Sequence, residues 1–545
     1  MRAFFRYFAT FLVGSLLSAG LITLLIFSNI LNIEKLKYQL PYYPLVTRNS
    51  PIKRVSTIAT NQLKFKSVSY SLPSMSAGFI SGGGAILPLT SHEILILNKS
   101  GDLYRFSQTA DGANIVKVDS AIKTNNDVYG DYARSQNYVV RPGKNIGFAG
   151  LGMRAIDLLY IKSSGLIAVS YTQWQEKQNC AVLKVSVHKV DEHLKFITGS
   201  LWREVFETRP CLGLAHRKKK PFAGHQSGGR MIEGANGNFL ITVGDFKHDG
   251  WNRADISQDV DTDFGKIFEV NPSNSQRLVF SKGHRNPQGL MVVAGGSIWS
   301  TEHGPTGGDE LNLIIKGADY GWPKVTLGVN CAGCKGLTNG RHEGYQAPIY
   351  AWTPAIGVSN LIQVKGIDDS WNGNFLVAAL VGQSLHRLIM TNGHVQLDEE
   401  IPTGDRIRDL YQAANGDVVL WSDSGKLTFL SRSTSQSKVE KLISSLPPAA
   451  QKTIAGCDQC HVFEKDLVRV GAVNLWGVYG RAVADTDFPK YSEAFMAAGG
   501  SWSHNRLDEF LKNPQKTIAN NAMADEGIAD DNIRKLIIGF LRQLQ

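Results

Sequence analysis

The sequence predicts a mainly-β chain: a six-bladed β-propeller, with a transmembrane helix before it and a small separate domain after it. Three observations carry this. Positions 7–31 hold no charged side chain. Residues 50–432 are rich in glycine and in short apolar runs between turn signals, with few helical periods. Near the C-terminus stands the pentapeptide Cys457-Asp-Gln-Cys460-His461.

The apolar run lies in MRAFFRYFATFLVGSLLSAGLITLLIFSNILNIEKLK. Its roughly 25 residues suffice to cross a bilayer as a helix. Arg2 and Arg6 precede it, which keeps the N-terminus cytoplasmic. A cleaved signal peptide has a shorter apolar core and a small-residue cleavage site. Ser18-Ala19-Gly20, inside the run, is a weak match to such a site. Residues 1–35 are therefore expected to be an uncleaved anchor, with the rest of the chain outside the cytoplasm.

In the middle of the chain strand-like runs recur: GGGAILPL with HEILILNKSGDLYRF, IDLLYIKSSGLIAVSYT, GANGNFLITVGD, VVAGGSIWSTEHG, WNGNFLVAALVG and AANGDVVLWSDSGKLTFL. With the first two counted together they make six units, too unevenly spaced for a clean tandem repeat. Six four-stranded units in about 390 residues suit a propeller; a large β-sandwich is the alternative. Residues 433–450 are polar, end near Pro447-Pro448 and are expected to be a linker.

Two cysteines two residues apart, with histidine next, are the attachment pattern for c-type haem. The thiols bond the haem vinyl groups and the adjacent imidazole reaches the iron. A zinc half-site would need a second ligand pair, and no cysteine follows Cys460. A small disulfide loop is the other alternative. The segments GCDQCHVF, NLWGVYGR, FPKYSEAF, LDEFLKNP, NNAM and IRKLIIGFLRQL resemble a class I cytochrome c over about residues 455–545. The resemblance implies an all-α domain over 451–545 around haem c, held by Cys457 and Cys460. His461 matches the proximal iron ligand and Met523 the distal one. Met496, the competitor, lies in the apolar run YSEAFMAAGG, where methionine packs in a core. His504 is expected at the surface. A His/Met pair raises the iron potential, which suits an electron acceptor. Because c-type haem is attached outside bacterial inner membranes, the two outer domains are placed in the periplasm.

The other four cysteines fit an oxidising compartment, with Cys180–Cys211 and Cys331–Cys334 as the expected pairs. A free-thiol or metal role is the alternative for Cys331 and Cys334. The net charge is +10. A basic balance can signal nucleic acid, but the extracytoplasmic placement argues against it. The run Arg217-Lys218-Lys219-Lys220 is more simply a solvated loop, or one that steers an anionic partner or lies near headgroups.

Four segments are too particular for strand ends: GHQSGGRM (224–231), KGHRNPQGL (282–290), TEHGPTGGDELNLIIKGADYGWP (301–323) and GDRIRDL (404–410). Together they resemble the glucose/sorbosone dehydrogenase family of quinoproteins, over roughly 80–432. The resemblance implies a six-bladed propeller with pyrroloquinoline quinone (PQQ) as cofactor. It implies His225 as the catalytic base for a sugar hydroxyl, which suits imidazole because it titrates near neutral pH; alone, His225 reads as structural. Arg285, also catalytic, and Asn286 are implied beside the quinone. Arg406 and Arg408 are implied to hold cofactor carboxylates, which the guanidinium fork fits. An R-x-R on a strand puts both side chains on one face; alone, it reads as a salt-bridged strand end. Gly304 and Pro305 are implied to bind Ca²⁺ through backbone carbonyls, an ion that polarises the quinone. Asp309 and Glu310 are expected to buttress that loop, and His303 to be structural.

Two departures stand out. A glutamine in a family segment like GQGGLLD falls at Gly152 in GLGMRAID. A family lysine in a GSLKG-like strand falls at Val381 in AALVGQSLHRL, with Gln383 as a candidate substitute. The implied function is a membrane-anchored periplasmic dehydrogenase. It would oxidise an aldose with PQQ and pass electrons to its own haem, then to a respiratory-chain acceptor. The alternative is a PQQ-free propeller that binds a glycan or protein and is fused to an electron carrier. A third reading keeps PQQ and takes another alcohol or aldehyde as substrate.

Overall fold

The computed structural model describes residues 51–72, 83–135, 152–213, 224–248, 256–329, 340–433, 438–465, 472–523 and 527–545, apart from positions 61, 91, 110–111, 459, 487 and 489–490. The anchor expected over 1–35, the basic run at 217–220 and the Cys331–Cys334 pair lie outside these residues. Among the described residues no helix is long and apolar enough to cross a membrane.

Six antiparallel sheets follow one another as blades. Their inner strands are Ala85–Pro88, Ala155–Ile161, Gly228–Glu233, Pro287–Val292, Val358–Gln363 and Ile407–Gln412. Each touches the inner strand before and after it, and the sixth touches the first, so the ring closes. The two leading sequence runs form blade one together, as expected. The turn signals act through backbone conformation. Asn392 and Gly393 both have positive φ (51° and 79°) and join Ser384–Thr391 to His394–Pro402. Such two-residue turns match the twist of the strands they connect.

Closure of the ring uses the start of the chain. Lys64–Ser71 pairs with Lys426–Arg432, from Phe65 opposite Arg432 to Ser71 opposite Lys426. Ile52–Ala59 adds a fifth strand to blade six. Neighbouring blades are glued by apolar clusters. Phe65, Trp371, Leu376 and Leu420 pack together between blades five and six. Trp299, Leu311, Phe375 and Val377 do so between four and five. The expected Cys180–Cys211 disulfide forms within blade two, with Cα atoms 5.6 Å apart.

One buried arginine ties the six inner strands together. Arg230 Nη1 donates to Asp157 Oδ1 at 2.6 Å and to Asp409 Oδ1 at 3.0 Å. Its Nε donates to the Gln288 carbonyl at 3.1 Å. Asp409 also accepts from Asn360 Nδ2 at 2.7 Å and from Ile86 N at 2.9 Å. Blades one to six each supply one of these groups.

The C-terminal region is helical, with helices Pro448–Asp458, His504–Lys512 and Asp531–Arg542 packed on a core that includes Phe463, Trp502, Phe510 and Phe540. Residues 438–444, inside the expected linker, form a helix. The reason is local: Val439, Leu442, Ile443 and Leu446 recur at helical spacing and pack on that core.

Replacing Arg230 by Met leaves two buried carboxylates uncompensated, so a loss of about 3–5 kcal/mol and a lower melting temperature are expected. Burial pushes the Asp157 carboxyl up to about 6, with Arg230 opposing and Asp409 adding. Its folded pKa therefore exceeds its unfolded one. Between about pH 4 and 6 the unfolded chain sheds a proton that the folded chain keeps, and stability falls as pH rises. Thermal melts across that window should show this contribution to the slope vanish in Asp157→Asn.

Candidate active site and haem-attachment helix

The inner strands all enter the ring from one end, and the candidate residues sit at those entries. His225 and Gln226 lead into Gly228–Glu233, and Arg285 and Asn286 lead into Pro287–Val292. Arg406 and Arg408 flank the start of Ile407–Gln412. Each second strand runs back to the same end, bringing Asp245, His303–Pro305 and Asp423 there. Backbone bonds lace these loops together. Phe246 N donates to Gln226 O and Asp245 N to Arg285 O, both at 2.8 Å. His303 N donates to Asn286 O at 3.1 Å.

Arg285 is fixed from several sides. Its backbone N–H donates to Glu302 Oε1, whose other oxygen lies 2.9 Å from His284 Nδ1. Its guanidinium donates to the carbonyls of His303 and Gly304. It also lies 5.2 Å above the Trp322 ring, a cation–π distance. Trp322 Nε1 donates to Asp245 Oδ2 at 3.0 Å.

Arg406 and Arg408 do share one face. Arg406 Nε is 3.1 Å from Asp423 Oδ2, while Arg408 holds both Asp423 oxygens at 2.9 Å. Burial pushes the Asp423 carboxyl up, but Arg408 and Arg406 outweigh it and hold it below the usual range. His303 joins the two arginine groups. Burial lowers its pKa, Asp309 opposes this, and Arg285, Arg408 and Arg406 lower it further. Asp309 buttresses the loop, accepting from Gly304 N at 3.0 Å and Gly357 N at 2.6 Å.

The departure at Gly152 has a structural reason. Gly152 has φ of 122°, and a Cβ there would stand 2.4 Å from Asn126 Oδ1. Helix Asn126–Ser135 fills the space that a glutamine side chain would need. Val381 is 66% exposed. Gln383 uses its carbonyl to hold the turn at Thr403 and Gly404. Sequence reasoning missed Glu302, Trp322, Asp245 and Asp423. The first two stood inside a quoted motif, and Asp245 and Asp423 inside the strand-like runs GANGNFLITVGD and AANGDVVLWSDSGKLTFL.

The donor set fits PQQ. Arg285 Nε is a buried donor with no hydrogen bond among the described residues, so a carboxylate or carbonyl oxygen of a ligand has a partner here; Gln226 Oε1, likewise unpartnered, calls for an N–H or O–H of the ligand instead. For Ca²⁺ the fit is narrower. Among the described residues no group of three or more His, Cys, Asp or Glu side chains could hold a metal. The 303–305 loop offers carbonyl oxygens, and that of Gly304 already accepts from Arg285. Ca²⁺ and that guanidinium compete for one oxygen.

Cys457 and Cys460 lie at the end of helix Pro448–Asp458, neither in a disulfide. His461 N donates to Cys457 O at 2.9 Å. His461 Nδ1 lies 2.8 Å from the Val473 carbonyl. A carbonyl at that distance makes Nδ1 the donor, the kind of contact that orients an iron-ligating imidazole, so the residues fit a c-type haem. Met523 packs on the helical core, and its N–H donates to Asn521 Oδ1 at 2.8 Å. Met496, expected in the core, is 62% exposed, because the short helix Glu493–Ala497 turns Ala494 and Phe495 inward instead. His504 is exposed, as expected.

Residues 85–430 match the family model for Glucose / Sorbosone dehydrogenase. Aldose sugar dehydrogenase YliI of Escherichia coli (strain K12) is 30% identical over 265 residues, 45% of this chain and 67% of its own length. Cytochrome c-554 of Methylosinus trichosporium is 30% identical over 97 residues, 18% of this chain and 74% of its own. A solved glucose dehydrogenase, 21% identical, superposes over 70% of this chain and all of its own with a TM-score of 0.52; this likeness speaks for the fold. The tail is homologous to cytochromes c, and the chain belongs to the glucose/sorbosone dehydrogenase family.

Proposed function

We propose that the protein oxidises a sugar hydroxyl at the arginine-lined end of the propeller, with PQQ bound there, and delivers the electrons to a haem c on Cys457 and Cys460. The observation that carries this is the gathering of Arg285, fixed on the His303 and Gly304 carbonyls, and of Arg406 and Arg408, on Asp423, at one end of the inner strands, laced to the loop that bears His225. His225 takes the hydroxyl proton as general base. Asn286 orients the cofactor and Arg285 faces its reactive end. Arg406 and Arg408 grip carboxylates from their shared platform on Asp423. Gly304 and Pro305 offer carbonyls to Ca²⁺. His461 and Met523 hold the haem iron. When bound, PQQ supplies a two-electron oxidant and haem c a one-electron acceptor. The anchor over residues 1–35 keeps both domains on the periplasmic face of an inner membrane, near a respiratory-chain acceptor.

One observation favours the second reading, a binding module without PQQ. Arg406 and Arg408 already share a carboxylate in Asp423, so a structural role accounts for part of their charge. A PQQ titration followed by tryptophan fluorescence separates the two readings: saturable quenching supports the dehydrogenase.

Anaerobic addition of aldoses to the oxidised protein, loaded with PQQ and Ca²⁺, should raise the haem α-band for at least one sugar. A haem that only dithionite reduces would sink the sugar dehydrogenase reading. His225→Ala should keep PQQ binding but slow sugar-driven haem reduction by about 10²–10⁴-fold, the usual weight of a positioned base. Met523→Ala should lower the haem potential, within the ~0.8 V range that axial ligands span. Met496→Leu should leave it unchanged; redox titration of both variants decides between the methionines.

A further inference from the structure

Four cations from three blades gather at the same end of the channel. Arg406 and Arg408 belong to blade six. Lys99 follows the strand Glu93–Leu97 of blade one, and Arg154 precedes the inner strand of blade two. The last two are laced together: Ala155 N donates to the Lys99 carbonyl at 2.8 Å, and Gly84 N to the Ala155 carbonyl at 2.9 Å. Their side chains converge over Gly83. A Cβ there would stand 3.1 Å from Lys99 Cβ and 3.4 Å from Arg154 Cδ. Arg154 is buried and Lys99 half-buried.

Their electrostatics point to the same carboxylate that Arg406 and Arg408 use. Burial pushes the Arg154 guanidinium down to about 10, Arg408 adds to this, and Asp423 opposes it. Burial and then Arg154 lower the Lys99 pKa, and Asp423 again opposes. Arg154 thus feels the charge of Arg408, and Asp423 acts on both Arg154 and Lys99. Buried like charges at short range repel one another, and an incoming anion relieves that repulsion.

We propose that Lys99 and Arg154, with Arg408, form a carboxylate-binding site at the seam of blades one, two and six. The Arg154 fork suits a planar carboxylate, and the Lys99 ammonium adds a point charge beside it. The carboxylate has two candidate sources. One is PQQ, a tricarboxylate, and this source rests on the function proposed above. The other is an acidic sugar, a uronate, offered as substrate.

The test compares the full chain with Lys99→Met, Arg154→Met, the conservative Lys99→Arg, and Lys177→Met, an exposed turn residue of blade two, as control. PQQ binding is read by quenching of tryptophan fluorescence at low and high salt, and uronate binding in the same way. Weakening of PQQ binding roughly ten- to hundredfold in both methionine variants, with recovery in Lys99→Arg, supports the site and names the cofactor as its ligand. Unchanged PQQ binding with uronate binding lost supports the site and names the substrate. Lys99→Met also covers the case in which Arg154→Met fails to fold. If wild type binds PQQ and every variant matches it for both ligands, the site is overturned while the dehydrogenase reading stands. If wild type binds neither PQQ nor uronate, both fall.

Discussion

Arg230 is the constraint on which the ring depends. A propeller has no central element, so its inner strands must be held to a common register by something that reaches across the channel. Here one guanidinium and two carboxylates do so, touching a group from every blade. Arg230, Asp157 and Asp409 are buried, where each bond is stronger than in water and each missing partner more damaging. Such a hub is weak evidence for stability in itself. What it enforces is geometry: the blades that carry His225, Arg285 and Arg406 are bound to one another directly, not through their neighbours alone.

The hub also sets up a gradient of charge. It holds two carboxylates against one guanidinium, while the rim above it is rich in arginine. Arg408 stands at the boundary. Its carbonyl accepts from Arg230 Nη2, and its side chain clasps Asp423. A rim of this kind draws anions toward the channel mouth. Burial lowers the basicity of His303 against the pull of Asp309, and the guanidiniums near it lower it further.

Much of this was readable in advance, and the unread part has a common cause. Turn dipeptides such as Asn392-Gly393 gave the blades away because their backbone demands are local. Cys457, Cys460 and His461 were plain because haem attachment is encoded in five consecutive residues. Arg230, Gln288 and Asp409 all lay inside quoted motifs, yet none received a role. Their partners are far off in sequence: Asp157 is 73 residues from Arg230, and Asp409 is 179. The same distance hid the strand Lys64–Ser71, whose alternation looks like any other edge strand. Met496 misled because a helix-like apolar run does not say which way so short a helix will turn.

The pairing of Lys64–Ser71 with Lys426–Arg432 puts a clock on biosynthesis. Partners stand 355 to 367 residues apart, so at ribosomal rates the early strand waits roughly 20–70 s for its mate. Throughout that time it is an unpaired edge, open to pairing with other chains. Blade six is the last to form, and it carries Arg406, Arg408 and Asp423. A nascent chain therefore presents no complete anion clamp until its whole propeller has emerged.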